Sequence, residues 1–230
     1  MAHAAGVPSP AVSEVRSRIL ETAYELFSQR GVRDVGINEV VERAHVTKAT
    51  LYHHFASKDD LVVAFLDLRE ERWMHGWVQA EARRRADTPE KELLAIFDLY
   101  DEWFHRDDYE ACSFVNVLLE LGADHPAGRA SIEHLANLRS IVRGLAADAN
   151  LEDAEGFTRS WYILMKGSIV AAAEGYTDAA RRAKEMATRL IEDHRSPAEG
   201  RPRGATRDGS GSRQSVRRVT HRVSKRAQTG

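Results

Sequence analysis

The sequence has little that could cross-link or metallate it. Cys112 is the single cysteine among 230 residues, so no internal disulfide can form, which fits a reducing compartment. It has no basic residue within four positions and reads as a core or pocket thiol rather than an activated nucleophile. No apolar run approaches the ~20 residues that span a bilayer. The first ten residues, MAHAAGVPSP, lack the charged start and apolar stretch of a secretory leader. A cytoplasmic protein is therefore expected. Ten histidines invite a metal reading. Yet His-Glu-x-x-His and Cys-x-x-Cys spacings are missing, and His53 and His54 project about 100° apart on a helix, poorly placed to chelate together. Neither a metal nor another cofactor is expected. There is also no glycine-rich phosphate loop and no Gly-x-Ser-x-Gly elbow, so catalytic residues are not assigned and an enzyme is not expected.

Charge is present but unevenly spread. The formal net charge is −2, from 33 Lys/Arg and 35 Asp/Glu. Residues 197–230 carry nine Lys/Arg against Glu199 and Asp208, which leaves residues 1–196 at −9. An acidic body excludes a protein coated in nucleic acid, so any DNA contact must use a local basic patch or the tail. That tail is rich in Gly, Ser, Arg and Thr, with Val as its only large apolar type. It is expected to be a disordered basic extension. Arg213, Arg217, Arg218, Arg222, Lys225 and Arg226 suit either a solvated extension or added non-specific DNA affinity.

The remainder reads as all-α. Val15, Ile19, Ala23, Leu26 and Phe27 share one helical face, and Gly31 stops that helix. A short helix is predicted at about 38–44, a turn at His45-Val46, and a second short helix at 48–54 capped by Thr47. Ser57 caps a long helix that reaches about Arg85, with Asp59 and Asp60 in its first turn. Further helices are predicted from Thr88-Pro89 to about His105, at 109–122, from Pro126 to about Ala149, at 152–174 and at 177–194. The expected architecture is a three-helix helix-turn-helix domain at 11–56 and a helical bundle at 57–195. With the basic disordered tail at 196–230, this makes about nine helices.

Two short helices joined by a tight turn and braced by longer ones have the helix-turn-helix arrangement. Residues 43–58 include Arg43, Lys48 and Lys58, three histidines and no acid, which suits phosphate. Thr47, Thr50, Tyr52 and His53 add hydrogen-bonding side chains of useful reach. Spacing and charge alone also suit an ordinary helical hairpin.

The run Val40-Val41-Glu42-Arg43-Ala44-His45-Val46-Thr47-Lys48-Ala49-Thr50-Leu51-Tyr52-His53-His54-Phe55 resembles the signature of the tetracycline-repressor (TetR) family, as do Ser57-Lys58 and Leu61 after it. The resemblance covers about residues 15–66. Three positions depart from the pattern. His45 stands where glycine is common in the turn, and Ala49 replaces a frequent glycine. Gly36 stands where Ser or Thr often caps the second helix, so that Asn38 is the substitute cap. The resemblance implies a ligand-responsive DNA-binding transcriptional regulator. It also implies a repressor, the family's commonest mode, released from its operator by a small apolar effector. The partners implied are a near-palindromic double-stranded operator, an effector of unknown identity and a second copy of the chain, with no membrane. Lys48 and Thr50 are then candidates for base edges or nearby phosphates, and Tyr52, His53 and Lys58 for the backbone, with Arg43 and Thr47 as further DNA-binding candidates. The alternatives are a constitutive regulator without an inducer, and a helical-bundle ligand-binding protein or enzyme.

For the effector, the resemblance implies a cavity in the second domain. Candidate lining residues are Trp73, Trp77, Tyr100, Phe104, Phe114, Trp161 and Met165, each equally at home in a packed core. Asn116 and Glu120, four apart on an otherwise apolar helix, would orient a ligand if they point inward and form a solvated stripe if they point outward. The long helix from Ser57 is the natural lever between the two regions. The last two helices, with the small residues of Gly167–Ala173, are candidates for the dimer interface.

Overall fold

A computed structural model describes residues 10–195. Those residues form nine helices and no strand beyond one isolated bridge between Leu151 and Arg195. The predicted tail at 196–230 lies outside the described residues. Helix α1 (Pro10–Arg30) ends where Gly31 turns left-handed, at φ +81°. The short helices α2 (Ile37–Arg43) and α3 (Lys48–His54) follow. Then α4 runs unbroken from Lys58–Arg69 through a π-helical stretch, Glu70–Gln79, to Ala80–Arg85. The rest is α5 (Pro89–Phe104), α6 (Ser113–Leu121), α7 (Pro126–Asp148), α8 (Ala154–Ala173) and α9 (Ala179–His194).

Local chemistry explains the starts. The side chains of Thr47, Ser57, Thr88 and Asp153 accept from the backbone N–H three residues on, satisfying one orphan donor of each first turn. Two expectations need correction. Helix α2 starts at Ile37 behind Gly36, with no side-chain cap, so Asn38 lies within the helix instead of capping it. Helix α6 starts at Ser113, not 109. Residues 105–112 instead cross from α5 as an irregular segment, in which Ala111 takes φ +61°.

Two apolar clusters hold these helices. One joins Ile19, Leu26, Phe27, Val40, Leu51 and Phe55 of α1–α3 to Leu61 and Phe65 of α4, and to Phe114 and Val117 of α6. It therefore runs across residue 57 and gives the helix-turn-helix a core shared with α4 and α6. The other fills the bundle with Phe97, Tyr100, Trp103, Phe157, Trp161 and Met165. Helix α9 lies along α8 and α5, while α7 packs on α4, α6 and α8. The α6–α7 corner is tight: a Cβ on Gly128 would stand 1.9 Å from the carbonyl oxygen of Gly122.

Candidate nucleic-acid interface and interior cavity

Helix α3 divides its residues cleanly. Leu51 and Phe55 are buried against α1 and α2, whereas Lys48, Ala49, Tyr52 and His53 are exposed. Lys48 and Tyr52 are one turn apart, so they form one outward face. Tyr52 is 48% exposed. At the N-terminus, Thr47 caps Thr50 N at 3.1 Å, and the two hydroxyls meet at 2.8 Å. The turn into α3 passes through His45 at φ +50°, the left-handed position at which glycine is commoner. Arg43 is exposed and only loosely paired with Glu25, at 3.9 Å.

Lys58 differs from this set. Its ammonium donates to the carbonyl of Val32, and burial lowers its pKa. It ties the start of α4 to the α1–α2 turn instead of standing free. Two basic groups lie here that the sequence reading did not single out. The Arg16 guanidinium sits 4.8 Å from the centre of the Phe55 ring, and Arg18 Nε donates to the carbonyl of Ala44 at 3.0 Å. Both lie on α1 and reach α3 and α2 only through the fold. Burial, His53 and Arg16 together lower the pKa of His54.

In the bundle, Trp73 and Met74 of α4, Tyr100 of α5, Phe114 of α6, Leu135 and Leu138 of α7, and Ile169 of α8 enclose a cavity. Its volume is about 10 Å³, room for about one water. Glu70, His134, Cys112 and Lys166 complete its wall. His134 is held at both ring nitrogens, by Glu70 at 2.6 Å and Asp67 at 3.2 Å. The Tyr100 hydroxyl donates to Met165 Sδ at 3.3 Å, and burial raises its pKa well above the ordinary value.

The nine candidate effector residues thus separate. Trp73, Tyr100 and Phe114 line the cavity, and Met165 contacts Tyr100 from behind. Trp161 packs on Phe97, Phe104 on Trp103 and Tyr109, and Trp77 on Trp73, all outside the lining. Asn116 and Glu120 face an open polar cleft of about 410 Å³ shared with Arg30, Gly31 and Glu110. Glu120 is occupied there by the protein itself. Its Oε2 accepts from the backbone N–H groups of Val32 and Arg33, each at 3.1 Å. Glu120 therefore ties α6 to the helix-turn-helix, a role visible only once residues 88 apart in sequence meet. Cys112 lies in the cavity wall, and Lys166 Nζ stands 3.2 Å from its sulfur, brought there from α8.

The family model described as "Bacterial regulatory proteins, tetR family" matches residues 19–65. A crystal structure of a TetR-family transcriptional regulator from Streptomyces coelicolor superposes with a TM-score of 0.71 at 28% identity, over 79% of this chain and 96% of that one. Residues 19–65 are thus a TetR-type helix-turn-helix, and the helical domain behind them has the fold of a TetR-family regulator. Among curated TetR-type relatives, the transcriptional activator FasR of Mycolicibacterium smegmatis is 34% identical over 88 residues, 38% of this chain and 40% of that protein. The transcriptional repressor KstR2 of Mycobacterium tuberculosis is 30% identical over 89 residues, 39% of this chain and 42% of that protein. These matches span less than half the length of either relative. In TetR terms, the shared part is the helix-turn-helix with the start of α4. The cavity lining falls outside residues 19–65, whereas the cleft is built partly from Arg30 and Gly31 within them.

Proposed function

We propose that this protein is a DNA-binding transcriptional regulator of the TetR family, acting as a homodimeric repressor that leaves its operator when a small molecule fills the bundle cavity. The observation that carries the reading is the outward face of α3, with Lys48, Tyr52 and His53 exposed in an acid-free stretch of an otherwise acidic body. In dimeric helix-turn-helix proteins such a face enters successive major grooves about 34–36 Å apart. Thr47 and Thr50 offer hydroxyls at the helix start, and Arg43 a mobile cation for phosphate. Because Lys58 is held by Val32, its contribution is placement of α4. Arg16 is a better candidate for the backbone.

The pairing surface is proposed on α8 and α9. Ile163, Val170, Tyr176 and Met186 are large and exposed there, around a mainly apolar hollow that includes Gly167 and Ala183. A second copy would cover that apolar area. Coupling runs through α6 as well as α4. The first turn of α6 carries Phe114 of the cavity wall, and its last carries Glu120 of the tie to Val32 and Arg33. An effector that spreads the wall favours a conformer in which that tie, and hence the spacing of the recognition helices, differs. A cytoplasmic location follows from the DNA partner. No helix among the described residues is long and apolar enough to cross a membrane.

The test is footprinting of the purified protein on the DNA flanking its own gene. One protected near-palindrome is expected, with two recognition sites on one face of the duplex. A reporter behind that sequence should rise when the gene is deleted. Uniform, sequence-independent protection would defeat the regulator reading, and a falling reporter would replace repressor with activator.

A further inference from the structure

The polar groups on the cavity wall are unequally satisfied. Both oxygens of Glu70 are already engaged: His134 donates to Oε2 at 2.6 Å and Asn137 to Oε1 at 3.0 Å. Lys166 is not. Its ammonium has the Cys112 sulfur at 3.2 Å and the Tyr162 ring at 5.3 Å, and no carboxylate among the described residues pairs with it. Tyr100, 1% exposed, gives its hydroxyl proton to a thioether. The indole N–H of Trp73 is buried with no acceptor among the described residues. All three groups are donors, and the two sulfurs that serve Lys166 and Tyr100 are weak acceptors. A half-buried cation in that situation gains most from an anion, since charge-assisted hydrogen bonds are about twice as strong as neutral ones.

We propose that the cavity takes a lipophilic organic acid, with its carboxylate at Lys166 and Tyr100 and its apolar body among Phe114, Leu135 and Leu138. The proposal rests on the reading of this cavity as the effector site and names the effector's chemical class. A cationic effector would have to share Glu70 with His134 and Asn137, and would lie beside the unpaired Lys166 ammonium. A neutral apolar effector leaves the ammonium and the indole N–H as they are and gains nothing from them. Room must be made, since the volume is about 10 Å³. The wall best placed to yield is the start of α6, where Phe114 and Cys112 follow the left-handed Ala111.

Calorimetric titration of the full-length protein tests the proposal. The probes are 2-naphthoate, 4-phenylbutyrate and decanoate, each against the primary amide and the amine of the same skeleton. At least one acid should bind, tenfold or more tighter than its amide. Lys166→Met should remove that preference, and Lys166→Arg should retain it, which separates loss of charge from loss of fold. The proposal is overturned if none of the acids binds, if an amide or amine binds as tightly as its acid, or if Lys166→Met keeps the preference. Binding is read without DNA. An acid that binds a protein with no operator therefore defeats the regulator reading alone, and operator binding without acid preference defeats this proposal alone.

Discussion

Lys48 and Tyr52 project from α3 without contributing to the core, so their removal should separate DNA binding from stability. For Lys48→Ala, operator affinity is expected to fall by about 1–3 kcal/mol if the ammonium reads a base edge. If it holds a phosphate, the fall should be uniform across sequences, with the salt slope reduced by about one. Melting temperature should not move in either case. Gel-shift titration at several salt concentrations, with thermal melts alongside, distinguishes these outcomes. Gly31→Ala should instead lower stability. The site holds φ +81°, and an added Cβ would meet Glu120 Oε1 at 2.6 Å. A loss of about 1–2 kcal/mol is expected from the left-handed backbone alone, measurable by urea unfolding. Residue-scale roles were legible in the sequence where the partner is local. Thr47 and Ser57 cap the N–H three positions on, and both were readable as caps. Lys58 meets Val32 across 26 residues, and Lys166 meets Cys112 across 54. No pattern within a window of sequence carries such a pair.

Among the elements, α6 is the shortest path between cavity and helix-turn-helix. Glu120→Ala leaves the N–H groups of Val32 and Arg33 to water and is expected to cost about 1 kcal/mol of stability. It should also change operator affinity from a position outside the α3 face. Leu119→Ser, on the 79% exposed side of the same helix, should change neither. Fluorescence anisotropy with operator DNA checks both variants. The seam between α1 and α4 depends on Arg69, whose guanidinium donates to the Tyr24 hydroxyl at 2.9 Å and pairs with Glu110 at 2.5 Å. Burial raises the pKa of Glu110 even though Arg69 opposes the shift. Arg69→Met should therefore cost about 3 kcal/mol, because it leaves a half-dry carboxylate alone. Adding Glu110→Gln should recover part of that loss in a double-mutant cycle. Most helices were legible, since periodicity and caps are properties of a short stretch. The start of α6 was not. Residues 109–112 carry no helix-breaking proline or glycine, and they are drawn off course by tertiary contacts such as Arg69 on Glu110 and the Tyr109 hydroxyl on the carbonyl of Ile169.

For the whole molecule, Val170→Glu on the exposed face of α8 should convert a dimer to monomers in sedimentation velocity without unfolding the bundle, since that side chain is 55% exposed in the single chain. Removal of residues 200–230 takes away nine positive charges. It should lower non-specific DNA affinity and flatten its salt dependence if the tail adds to binding. The all-α plan was legible at this scale because nine segments each announce themselves. The sharing of one core between α1–α3, α4 and α6 was not, because it depends on how the segments meet. One part of α4 has a mechanical meaning of its own. The π-helical stretch Glu70–Gln79 winds its residues into a wider and therefore shorter coil than the α-helix on either side. It is stored slack. Rewinding it would lengthen the rod toward the helix-turn-helix and turn its far end, with no covalent or loop rearrangement. Trp73 and Met74, which close the cavity, sit on the part that turns.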